Sequence, residues 1–166
     1  MKFLLIFVSL LQFTTFSIDV NMIRKAYKVA AHDKTKIAEL NKLLFSVTKQ
    51  DNATLIAYKG AGIALQARQK KTIKEKKRLF IEGISYLEYA IQKNPNAIEP
   101  RFIRIGIQEN TPKLLKYKSN IEEDKSFLLK HYKTITPKVL KKQIGEYILQ
   151  SKSFSDKEKA VILVPK

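Results

Sequence analysis

From residue 20 onward, apolar positions recur at three- and four-residue intervals, the period of an amphipathic α-helix. Ile23, Ala26, Tyr27 and Ala30 make the first such stripe. Asp33 is placed to cap a second helix, whose buried face is Ile37, Leu40, Leu43, Leu44 and Val47. Asn52 opens a third helix, running to about Gln69, with Leu55, Ile56, Tyr58, Ala61, Gly62 and Leu65 on overlapping apolar faces. A fourth starts near Ile73 and carries Phe80, Ile84, Leu87 and Ile91 on one stripe, with Leu79, Gly83 and Ala90 beside it. It stops at Asn94-Pro95-Asn96, because proline disfavours helix in the residue before it and brings no amide donor.

Pro100 falls in the first turn of a fifth helix with Phe102, Ile103, Ile105 and Ile107, where a missing amide hydrogen costs little. Thr111-Pro112 restarts the chain as a short helix through Leu114 and Leu115. Ser119 and Asn120 stand at capping-box spacing from Glu122 and Glu123, ahead of a helix with Phe127, Leu128 and Tyr132. Thr136-Pro137 begins the next, with Leu140, Ile144, Tyr147 and Ile148 facing inward. Ser155 and Glu158 form a further capping box for a last helix containing Ala160, Val161 and Leu163. No hairpin signal and no sustained alternating run intervenes, so the expected class is all-α.

Residues 1–17 read differently. Lys2 precedes the apolar run from Phe3 to Phe13, the layout of an export signal. Small residues at Thr15 and Ser17 place cleavage after Ser17, leaving residues 18–166 as one helical domain. The run is shorter than the roughly 20 residues a spanning helix needs, and no later segment is apolar enough to span. The chain has no cysteine, which excludes a lipid-modified export signal and any disulfide. A bacterial periplasmic or secreted setting is expected, since small secreted domains elsewhere lean on disulfide staples.

The residues of two of these helices resemble the tetratricopeptide repeat. Tyr58, Ala61, Gly62 and Leu65 match the spacing of that repeat's first helix, and Gly83, Leu87, Ala90 and Pro95 match its second. Gly62 and Gly83 lie 21 residues apart, where an unbroken repeat of about 34 residues would separate them by about 12. About nine extra residues therefore lengthen the helices or their turn. The likeness covers residues 20–110, with further helices over 111–166. Arg101 and Arg104 depart from it, standing where a following repeat would want apolar residues. The resemblance implies antiparallel hairpins stacked as a short solenoid or irregular bundle, and a surface that binds a protein or peptide partner. It carries over no ligand-contacting residue.

Charge adds a second possibility. The net charge of +17 falls by one when Lys2 leaves with the signal. Such a field attracts anionic lipids or envelope polymers. The 32 basic residues include five arginines, hence 27 lysines, beside much isoleucine and no tryptophan, which also has the look of AT-rich coding. The densest run holds Arg68, Lys70, Lys71, Lys74, Lys76, Lys77 and Arg78 with one acid, Glu75, and is the candidate anion or partner contact. A solvated connection between helices accounts for the same residues. A second basic stretch, Lys130, His131, Lys133, Lys138, Lys141 and Lys142 around Tyr132, has the aromatic interleaving of a nucleic-acid contact. Tyr132 serves equally as an apolar cap on its helix, and export disfavours nucleic acid.

Catalytic chemistry finds little support. His32 and His131 are about a hundred residues apart, no HExxH or paired metal-ligand spacing occurs, and no glycine loop cradles phosphate. Glu122, Glu123 and Asp124 complement the dipole of a helix start. No catalytic, cofactor-binding or metal residue is assigned and no cofactor is expected. Asn52-Ala53-Thr54 is a glycosylation acceptor pattern, but a helix cap explains Asn52 as well. The expected function is an exported, non-enzymatic protein-interaction module, the alternative a cationic binder of anionic envelope polymers or lipids.

Overall fold

The computed structural model describes residues 18–163; the export signal read in residues 1–17 lies outside them. Eight α-helices and no strand occur among the described residues. They are α1 (Val20–His32), α2 (Ile37–Leu43), α3 (Ala53–Gln66), α4 (Ile73–Lys93), α5 (Ile98–Asn110), α6 (Ile121–His131), α7 (Lys138–Gln150) and α8 (Asp156–Leu163). Single 3-10 turns at Lys34–Lys36, Ala67–Gln69, Lys113–Leu115 and Tyr132–Thr134 join or extend them.

Side chains at the helix starts account for several boundaries. Asn52 accepts the Leu55 amide at 3.0 Å, and Ser155 and Glu158 close a reciprocal box in which the Ser155 amide donates to the Glu158 carboxylate at 2.8 Å. Thr72 and Glu75 form another, with the Glu75 amide donating to Thr72 Oγ1 at 3.2 Å. Two caps differ from the sequence expectation. Asp33 accepts the Thr35 amide and so caps a 3-10 turn rather than α2. Asn120 makes no side-chain bond to the backbone of α6, because its amide donates to the Glu123 carboxylate instead. Helix α2 ends at Leu43, earlier than its apolar pattern, and Leu44 and Val47 are buried from the turn that follows.

Helix α3 is buried on nearly all sides, as expected of a helix apolar all round. Its main partner is α4, and α1, α2 and α5 also pack against it. The crossing with α4 is a backbone contact. A Cβ at Gly60 would lie 2.5 Å from the carbonyl oxygen of Gly83 and 2.9 Å from the Leu87 nitrogen. The glycine of this helix that the tetratricopeptide likeness uses is Gly62. Gly62 faces Asn41 of α2 instead, whose Nδ2 donates to the Gly62 carbonyl at 3.0 Å.

Two apolar clusters result. The first joins α1 to α4, with Ile23, Leu40, Ile56, Tyr58 and Leu87 among its fully buried members, and takes Ile103 from α5. The second gathers Leu128, Leu140, Ile144, Ile148 and Phe154, and takes Ile105 from α5. Helix α5 thus belongs to both. Lys93, at the end of α4, staples the turn before α3 by donating to the carbonyls of Lys49, Gln50 and Asp51 at 2.9, 3.1 and 2.7 Å.

Candidate functional site

The basic run at 68–78 divides at Thr72, the cap of α4. Before it, Arg68 donates to the Ala31 carbonyl at 2.6 Å, and Gln69 donates to the Lys34 carbonyl at 2.8 Å. These bonds tie the turn after α3 to the end of α1, where C-terminal carbonyls such as that of Ala31 lack helical partners, and to the 3-10 turn that follows. After it, Arg78 pairs with Glu82 one turn on, at 2.9 Å. Lys70, Lys71, Lys74, Lys76 and Lys77 are exposed. The seven residues therefore split between a structural tie, a helix-surface pair and five solvated ammonium groups.

The second basic stretch does not present an aromatic platform. Tyr132 lies against α7, where a Cβ on Gly145 would come within 2.5 Å of its hydroxyl oxygen. Lys141 sits over the Tyr132 ring at 5.4 Å, and His131 stacks on Phe127 with centroids 4.3 Å apart.

Helix α5 carries three polar constellations. Near its start, Glu99 receives a two-pronged bond from Arg24, at 2.7 and 2.8 Å, and the Tyr58 hydroxyl at 2.6 Å. Arg24 is held more firmly protonated by Glu99, while burial first and the Glu99 charge second push the Tyr58 hydroxyl well above its usual range. In its middle, Arg104 grips Asp124 with two bonds of 2.7 Å, and Arg101 reaches Asp124 at 3.2 Å and Glu123 at 2.6 Å. Glu88 of α4 completes the cluster, accepting from Arg104 at 2.9 Å and from the Tyr117 hydroxyl. Asp124 is 0% exposed. Burial raises its pKa against the pull of the two arginines. Near its end, Glu109 accepts from the Tyr147 hydroxyl at 2.5 Å and from Ser151 at 2.5 Å.

These clusters explain the departure at Arg101 and Arg104. Each replaces an apolar contact with a paired charge, since buried charges persist only when partnered. The three acids do stand in the first turn of α6, as expected, and one of them has a further partner. Glu122 is exposed and pairs with Lys125 at 3.0 Å, whereas Asp124 is an interior counter-ion between helices. The three-residue spacing of Arg101 and Arg104, which puts both on one face, was the available sequence signal.

A concave apolar surface lies between α1 and α2. It is a cleft of about 380 Å³ lined by Met22, Ala26, Val29 and Leu43, with Lys25, Lys36 and Glu39 at its rim. Met22 is 52% and Val29 48% exposed. Met22, Ala26 and Val29 are spaced four and three apart, a second stripe on α1 beside Ile23 and Ala30, which the core uses. A second cleft of about 320 Å³ has the Arg24–Glu99 pair in its wall and the Thr134–Pro137 connection opposite. Its charged groups are already committed to each other.

The arrangement is an all-α bundle whose buried charges are paired with one another, and the α1–α2 cleft is one apolar surface left open among the described residues. No family model, curated protein or solved structure matches the chain. Among the described residues no cluster of three or more His, Cys, Asp or Glu side chains is placed to hold a metal ion, and no helix is long and apolar enough to cross a membrane.

Proposed function

We propose that the chain is an exported, non-enzymatic interaction module that binds an amphipathic, acidic segment of a partner protein in the α1–α2 cleft, in the manner of a tetratricopeptide-like helical surface. The observation that carries this reading is the uncovered stripe of Met22, Ala26 and Val29 beside Leu43. Contiguous exposed apolar surface rimmed by polar residues marks an interaction site, and methionine adapts to varied apolar shapes. A helix laid along two helices engages such a stripe by anchors at three- and four-residue spacing. Lys25, beside the Lys36–Glu39 pair, and the strongly positive chain favour acidic flanks on the occupant. The non-catalytic part of the reading is supported by the commitment of Glu99, Asp124, Glu88 and Glu109 to arginine, tyrosine or serine partners.

The test is affinity capture from envelope extract at low and high salt, comparing the native chain with a Met22→Ser/Val29→Ser variant. A protein retained at high salt by the native chain and weakened about 10-fold or more by the variant supports the cleft, since each anchor buries substantial apolar area. Retention that ignores Met22 and Val29 refutes it. Recovery of polyanions alone, eluting with salt, favours a cationic binder.

A further inference from the structure

The most exposed large apolar side chains outside the α1–α2 cleft include Ile73, 83% exposed, and Leu114, 88% exposed. The segments that carry them meet at one aromatic contact. Ile73 opens α4, and Lys76, Lys77 and Phe80 follow at three, four and seven residues, on the same face. Phe80 packs edge-to-face on Tyr117, with centroids 5.9 Å apart, and Leu114 lies three residues before Tyr117 in the connection from α5 to α6. Seven helical residues span about 10 Å, so Ile73 lies two turns along α4 from the Phe80–Tyr117 contact, and Leu114 lies three residues along the chain from it.

Around these two tips the charge is nearly all of one sign. Lys70, Lys71, Lys74, Lys76 and Lys77 accompany Ile73, and Lys113, Lys116 and Lys118 accompany Leu114. The nearby acids are already partnered: Glu75 accepts the Thr72 hydroxyl within its capping box, Glu82 pairs with Arg78, and Glu88 holds Arg104 and the Tyr117 hydroxyl. Lysines in the first turns of α4 also oppose the positive end of the helix dipole, so they weaken the helix rather than support it. A soluble polyanion would complement the lysines and leave both apolar tips in water. An anionic bilayer complements both, with lysines at the headgroups and short apolar wedges at the acyl boundary.

We propose that this region, Ile73 and Leu114 with their lysines, docks peripherally on an anionic lipid surface. The inference is independent of the α1–α2 cleft, which uses other residues.

The chain contains no tryptophan, so single tryptophans report locally. Full-length chains carrying Ile73→Trp, Leu114→Trp or the control Phe45→Trp would be mixed with phosphatidylglycerol/phosphatidylethanolamine vesicles, phosphatidylcholine vesicles, or soluble polyphosphate. Phe45 is equally exposed but lies in the turn after α2, where the Leu44 and Phe45 carbonyls accept from Lys59 of α3. The expected result is a blue-shifted emission at positions 73 and 114 with the anionic vesicles alone, and none at 45. Added Lys74→Gln/Lys77→Gln/Lys113→Gln changes should weaken that partitioning on the order of 100-fold. No shift at 73 and 114 overturns the inference, as does a shift at all three positions, which would mean unoriented adsorption. Binding to polyphosphate as tight as to vesicles, with no shift, assigns the lysines to polyanions instead. Because the readout is site-specific, apolar residues 1–17 cannot mimic it, and a result here leaves the capture experiment on Met22 and Val29 undecided either way.

Discussion

Gly60 and Gly83 touch through bare backbone: a Cβ on either would stand 2.5 Å from the other's carbonyl oxygen. No flexible side chain can give way at that contact, so α3 and α4 would have to separate. Gly60→Ala and Gly83→Ala should each cost about 1–3 kcal/mol, the range of overpacked interiors. Gly106, inside α5, has no atom within 4 Å of its hypothetical Cβ. Gly106→Ala should therefore stabilise by about 0.5–1 kcal/mol through helix propensity. Denaturant unfolding of the three variants tests the contrast, and equal effects at Gly60 and Gly106 would remove the close-approach account.

The Arg101–Arg104–Asp124 cluster couples α5 to α6 in the interior. Asp124→Ala strands two arginines beside an apolar cluster and should cost about 3–5 kcal/mol. Combining Asp124→Leu with Arg101→Met and Arg104→Met should recover much of that loss, because well-packed apolar replacements of buried ion pairs are tolerated. A triple variant no more stable than Asp124→Ala would mean that shape, not charge pairing, dominates the site.

Acid should weaken the fold through its surface carboxylates. Asp33, Glu75, Glu123, Glu146 and Glu158 are held below the ordinary range, chiefly by hydrogen bonds from Thr35, Thr72, Arg101, Lys28 and the Ser155 amide respectively. The unfolded chain then binds more protons, so their contribution is complete above the unfolded carboxylate range of about 4 and is lost as pH falls through the depressed native values. Asp124, shifted upward by burial, works in the opposite direction over the range above its unfolded value. Five groups outweigh one. Denaturation midpoints should be flat from pH 7 to 5 and fall from pH 4 to 2, less steeply in Glu158→Gln; a midpoint that rises toward pH 2 contradicts this balance.

Surface anchors should separate binding from stability. Met22→Ser and Val29→Ser replace side chains about half exposed, and surface changes of this kind shift stability within about 0.5 kcal/mol. Thermal unfolding should therefore be nearly unchanged while partner retention falls. A large drop in melting temperature would instead make the stripe part of the core.

The helical class, most helix starts and most buried faces were legible in the sequence, because they follow from local periodicity, proline and short capping motifs. Asn52, the Ser155–Glu158 pair and the stop before Pro95 were read this way and lie where expected. The polar interior was not. Arg24 meets Glu99 across 75 residues, and Arg104 meets Asp124 across 20. Nothing local marks Arg24 as paired, and the three-residue spacing of Arg101 and Arg104 shows that they share a face but not which acid they meet. The Met22–Ala26–Val29 stripe had a visible period, but Ile23 and Ala30 on the same helix had one too. Only the packing of α2, α3 and α5 selects which stripe is covered. Periodicity and capping act within a few residues and are written along the chain. Which charges are buried, which glycine faces which backbone and which apolar residues stay in water depend on where distant helices come to rest.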